Sequence, residues 1–129
     1  HEDGRFLYPG TGSAEEIGYG KAEGTKLSIP VPPKTNDYGF KKVFHKIEKF
    51  ILKIEPQIIF FQCGGDGLKN DSISHLEYSP QAYRFAAEKL HQLAHKLCGG
   101  RIVTMGGGGY SPENTSKAWV NVVETFLFN

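Results

Sequence analysis

The sequence predicts an α/β chain built on a parallel sheet, and three observations carry that prediction. Residues 38–54 repeat apolar side chains with a helical period. Two short apolar runs, 58–63 and 101–105, follow helical segments and end in glycines. Ser79-Pro80 and Ser111-Pro112 each pair a hydroxyl cap with a proline suited to the first helical position.

Residues 1–24 show no sustained period and are punctuated by glycine, so they read as a long loop of the functional kind. Lys26 to Val31 reads as a short strand, moved towards a sheet edge by Pro30. Pro32, Pro33, Asn36 and Asp37 then form a turn. Phe40, Val43, Phe44, Ile47, Phe50, Ile51 and Ile54 make one apolar stripe of the first helix, with lysines on its other side. Pro56 ends it.

Ile58 to Cys63 is consecutively apolar rather than alternating, which predicts a strand buried on both faces. The second helix carries Tyr83, Ala86, Leu90, Leu93, Ala94 and Leu97 inward and stops at Gly99-Gly100. "RIVTM" is the last strand, and Thr115, Trp119, Val122 and Phe126 face inward on the last helix. The order β-α-β-α-β-α implies crossover connections and a parallel sheet. Ligands collect beyond the carboxyl ends of such strands. "CGGDG" (63–67) and "GGGGY" (106–110) both lie there, on one rim.

Composition narrows the class. A chain of 129 residues is one domain at most. A net charge of +1 gives no basic field for nucleic acid, and the apolar runs are too short for a membrane span. Cys63 and Cys98 share no CxxC spacing, which argues against a thiolate zinc site or a disulfide framework and for a reducing compartment. The first residues, "HEDGRF", follow neither a methionine nor a visible secretory signal, so a piece of a longer protein is expected.

Several constellations have a chemical and a plain reading. Asp66, reached through two glycines, could ligate a metal or act as a base; equally, Asp66 and Asp71 could cap turns. The four glycines at 106–109 could cradle a phosphate or clear room beside Tyr110 so that its hydroxyl can donate to a substrate oxygen. No Lys-Ser/Thr follows and the GxGxxG spacing is not met, which weakens the phosphate reading. His91 and His95 in "HQLAH" have the spacing of a two-histidine metal site, but they share a face with Arg84 and Glu88, and a solvated face is expected. His75 is a minor candidate and His45 a surface residue.

"LYPGTG" (7–12) with "EEIGYGKAEG" (15–24), "QCGGDGLKNDSISHLEYSP" (62–80) and "MGGGGYSPENTSKAW" (105–119) resemble, in order and spacing, the carboxyl-terminal half of the zinc-dependent histone deacetylase family. That superfamily includes acetoin-utilisation proteins and acetylpolyamine amidohydrolases. The resemblance implies a three-layer αβα, arginase/deacetylase-like fold. Residues 1–25 would be an active-site loop region and 26–129 three βα units. Asp66 matches a zinc ligand and Tyr110 the transition-state tyrosine. Tyr8 matches an aromatic flanking the acyl-lysine tunnel, Ile73 a tunnel wall, and Gly108 a glycine lining the pocket.

The chemistry so implied is hydrolysis of acetyl-lysine or a related acetylated amine such as an acetylpolyamine, with zinc or, for such ligands, iron. The family's histidine pair and Asp-x-His zinc loop fall upstream of the residue matching His1. This chain alone is therefore expected to be inactive. Its expected partners are the missing amino-terminal half or a second copy joined through an exposed sheet edge, with no direct nucleic acid or membrane partner. The expected location is the cytoplasm, or the nucleus of a eukaryote. The competing expectations are a non-catalytic acyl-lysine-type binding module and a phosphate-binding α/β domain using "GGGGY".

Overall fold

A computed structural model describes residues 1–128. Three helices dominate it: α1 (Asp37–Ile54), α2 (Pro80–Cys98) and α3 (Pro112–Phe128). Two strands, β1 (Ile59–Gln62) and β2 (Ile102–Met105), pair in parallel with Ile59 opposite Ile102 and Gln62 opposite Met105. The parallel sheet with its helices agrees with the predicted α/β class. The strand expected at Lys26–Val31 is absent: Val31 makes one isolated bridge to Glu2, and the remainder is irregular. Pro30 donates no N–H, and the neighbouring Val31 spends both backbone groups on residues 1–3 of the N-terminal loop instead of the sheet.

The helices begin and end where local chemistry directs. The Asn36 side chain accepts from the N–H groups of Tyr38 and Gly39 at the start of α1, so Asn36 and Asp37 open the helix rather than only a turn. Ser79 Oγ accepts from Gln81 N ahead of Pro80, and Gly99 closes α2 in the left-handed region at φ 61°. Ser79 also donates from its N–H and its hydroxyl to the Asp37 carboxylate, at 2.7 and 2.6 Å. One carboxylate therefore fastens the start of α1 to the start of α2. Ser111 Oγ accepts from Asn114 N at the start of α3.

The apolar stripes meet in three adjoining clusters, one of them formed by Val31, Leu76, Tyr78 and Ala82. Phe44 of α1 packs with Ile59 of β1 and with Ala86, Leu90, Leu93 and Ala94 of α2. Cys63, Ala87 and Val122 continue the core towards α3, flanked by Phe61, Tyr83, Trp119 and Phe126. Thr125 of α3 is also fully buried. Side chains of all three helices pack on the sheet face that carries Ile59, Phe61, Cys63 and Ile102.

The other face is bare. Phe60 is 64% exposed, and Ile58, Val103 and Met105 are exposed beside it. The expectation that 58–63 is buried on both faces is therefore corrected: burial alternates along β1. The two-stranded sheet has no layer on that side among the described residues, so every second apolar residue meets solvent. Among the described residues no further strand pairs with the outer edge of β1 or of β2. Among the described residues no helix is long and apolar enough to cross a membrane.

Candidate functional site

The rim at the carboxyl ends of β1 and β2 is made of two glycine loops locked together. Cys63 N–H donates to Met105 O at 3.0 Å, which carries the ladder one step past β1. Gly65 N–H then donates to Gly108 O at 2.6 Å. Gly65–Gly67 forms a single 3-10 turn with Asp66 at its centre. The hydroxyl of Tyr83, from the first turn of α2, donates to Gly64 O at 2.8 Å and holds this turn from below. Burial pushes the Tyr83 phenol well up, and the nearby Asp66 carboxylate adds to the shift. Tyr83 thus stays a donor throughout the ordinary pH range.

The glycines of the second loop are there for close approach. A Cβ at position 108 would lie 2.1 Å from Asp66 Oδ2, and one at 107 would collide with the Gln62 amide. Gly109 adopts φ 128°, where side chains are rarely tolerated, and a Cβ there would fall 2.6 Å from Thr115 Oγ1. Gly107, Gly108 and Gly109 therefore leave room for Gln62, Asp66 and Thr115, while a Cβ at Gly106 would make only an ordinary contact with Trp119. A carboxylate against Gly108 also repels a phosphate, which counts against a phosphate cradle in this loop.

Tyr110 is held by its backbone. Its N–H donates to Asp71 Oδ2 at 3.0 Å, while the Ile73 and Ser74 N–H groups donate to Asp71 Oδ1. Partial burial pushes the Asp71 carboxyl up, but these three donors outweigh it and leave it below the usual carboxylate range. Asp71 is thus a pin between the 71–75 loop and the glycine loop, close to the turn-capping role considered for it. The side chains of Tyr110 and Ile73 are both exposed.

Beneath the N-terminal loop lies a half-open cavity of about 620 Å³, lined by Tyr8, Glu16, Phe61, Asp66, Tyr78 and Tyr83 among others. Asp66 and Tyr8 therefore share one cavity, with Tyr8 93% exposed at its mouth. Gly108 touches Asp66 from the neighbouring loop. Tyr110 and Ile73 lie on the rim, outside the lining of this cavity. Glu16 organises the loop above: it accepts from Lys26 at 2.6 Å and from the N–H groups of Gly12 and Ser13. Lys26 first and those amides second draw its carboxyl down to about 2.

Two contributors escaped the sequence reading. Tyr83 lies on the inward stripe of α2, where a phenol among alanines signals a hydroxyl in need of a partner. Glu2 gave no signal at all. It is 5% exposed and accepts from His75 N–H at 2.7 Å and pairs with His75 Nδ1 at 2.8 Å, across 73 positions. His75 is thereby engaged with Glu2 and does not line the cavity.

The geometry has counterparts among known proteins. The histone deacetylase domain family matches residues 1–126. The chain belongs to that family. It is 34% identical over 128 residues to the acetoin utilization protein AcuC of Bacillus subtilis, covering 95% of this chain and 33% of that protein. It is 40% identical over 108 residues to a probable deacetylase of Archaeoglobus fulgidus, covering 83% of this chain and 30% of that protein. Among solved structures, the HDA15 HD domain superposes with a TM-score of 0.88 at 25% identity, over 98% of this chain and 35% of that one. An HDAC homolog complexed with SAHA gives 0.81 at 29% identity, over 96% and 32%. The chain thus spans about a third of the length of the curated relatives it matches.

Deacetylase-family membership brings a metal into question, and the donor set answers for this segment. Among the described residues no three His, Cys, Asp or Glu side chains come together to hold an ion. A catalytic zinc centre takes three protein ligands. Asp66 alone does not fit that requirement.

Proposed function

We propose that this chain is the substrate-facing, carboxyl-terminal part of a deacetylase that hydrolyses the amide of acetyl-lysine or a related acetylated amine. The observation that carries the reading is the contact of Asp66 with Gly108 on one strand rim, within a family match running from residue 1 to 126. In this reading Asp66 is the segment's single contribution to a metal centre, zinc or iron, whose other ligands lie outside residues 1–129. The segment by itself is inactive.

The chain's own residues act on the substrate. Tyr110, its backbone fixed by Asp71 and its side chain exposed, donates its hydroxyl proton in a hydrogen bond to the acetyl oxygen. That bond strengthens as the oxygen gains negative charge, which is why it favours the tetrahedral state over the ground state. Tyr8 lays an aromatic face along the methylene stem of the acylated side chain, with Ile73 and Gly108 as further walls. The bare sheet face around Phe60 is covered by the rest of the parent domain.

The test is acetyl-lysine peptide hydrolysis by the full-length parent protein. Tyr110→Phe should lower kcat by about 10²–10³, or roughly 2.7–4 kcal/mol. Asp66→Ala should remove both activity and bound metal, measured by atomic emission. Full activity in both variants would sink the proposal. Full metal content with activity absent from the wild type would favour a non-catalytic acyl-lysine-binding module.

A further inference from the structure

The histidine pair of α2 is more than a solvated face. His91 and His95 stand one turn apart, and their Nε2 atoms lie 2.9 Å from each other. Two features hold the rings there. The His91 ring packs edge-on against Phe126 of α3, with centroids 5.3 Å apart. The His95 ring lies over the turn that ends α2, where a Cβ on Gly100 would come within 3.0 Å of His95 Cε1. Arg84 and Glu88, on the same side of the helix, pair with each other at 3.0 Å.

We propose that His91 and His95 form a binding site for a divalent transition-metal ion, of the Cu(II) or Ni(II) type, remote from Asp66. Two metal–nitrogen bonds of about 2.05 Å that enclose this 2.9 Å separation meet at about 90°. That is the angle of square-planar or octahedral coordination, which suits Cu(II) and Ni(II). Tetrahedral zinc would require the nitrogens about 3.3 Å apart at the same bond length. The remaining positions are filled by water.

Without metal, one neutral ring donates Nε2–H to the lone pair of the other. With metal, both Nε2 lone pairs are committed, so the donor ring moves its proton to Nδ1 and no proton need leave the pair. The ion would brace the last turns of α2 and, through His91, the contact with α3. Tyr83, which touches the Asp66 loop, is twelve residues before His95, about 18 Å along the helix axis. Occupancy of this site is therefore independent of the deacetylase reading.

The experiment is calorimetric titration of the chain with Cu(II) alone and Ni(II) alone, with Cu(II) electron paramagnetic resonance as a second readout. One ion per chain with two nitrogen ligands is expected. His95→Gln, at an exposed position that leaves the core intact, should weaken binding by at least the roughly tenfold seen for lesser, outer-shell changes. His91→Gln should do the same, while His45→Gln and Asp66→Asn should bind as the wild type does. Equal binding by the His91→Gln/His95→Gln double variant, or binding that follows His45 or His75, would overturn the proposal. So would the absence of any saturable uptake.

Discussion

The two faces of the β1–β2 sheet are made of similar residues and have opposite fates. Ile59, Phe61 and Cys63 point into a core shared by three helices, while Ile58, Phe60 and Val103 point into solvent. Side chains alternate along a strand, so adjacent phenylalanines separate to opposite faces. The bare face teaches that the apolar run describes a burial this segment only half supplies. In the proposed reading, the rest of the parent domain uses the other half.

The comparison can be broken first at the phenylalanines. Phe61→Ala should cost about 3 kcal/mol of stability, since it empties a site packed on both α2 and α3. Chemical denaturation would measure it, and a loss no larger than that of Phe60→Ala would contradict the assignment of faces. A middle-sized effect belongs to the rim. Gly108→Ala forces a methyl against the Asp66 carboxylate and should cost about 1–3 kcal/mol by overpacking. An unchanged melting temperature would show that the two loops are not locked.

Phe60→Ala should change stability by no more than about 0.5 kcal/mol, because its ring has little to lose. It should, however, lower any self-association of the isolated chain in light scattering, as should Val103→Lys. Association that persists in both variants would mean that the sheet edge, not the face, mediates it.

The smallest effect is electrostatic. Asp71 sits below its usual value of 3.8 in the folded chain, so its contribution is complete above that value and is lost as pH falls through the folded value. Asp71→Asn should therefore flatten the acid limb of the melting curve below about pH 4. An acid limb unchanged from the wild type would remove Asp71 as the pin of the Tyr110 loop.

Much of this was legible in the residues. The three helices follow from periodicity and from Ser-Pro and Gly-Gly signals, because capping and amphipathicity are local. The two glycine loops could be put on one rim because parallel strands joined by helices bring their carboxyl ends to the same side. Asp66, Tyr110, Tyr8, Ile73 and Gly108 are candidates through the family resemblance, and of these the structure lines one cavity with Asp66 and Tyr8.

The rest required the folded chain. No local pattern says that Glu2 will receive His75, that Gly108 yields its space to Asp66, or that Tyr83 supports Gly64. Lys26–Val31 has strand-forming residues, yet strand formation needs a ladder partner, and the N-terminal loop took Val31 instead. The spacing of His91 and His95 states that the rings can meet; only Phe126 and the glycine turn decide that they do. Sequence determines what is set by neighbours along the chain, while contacts across forty or seventy positions depend on loop closure and packing, which no short window contains.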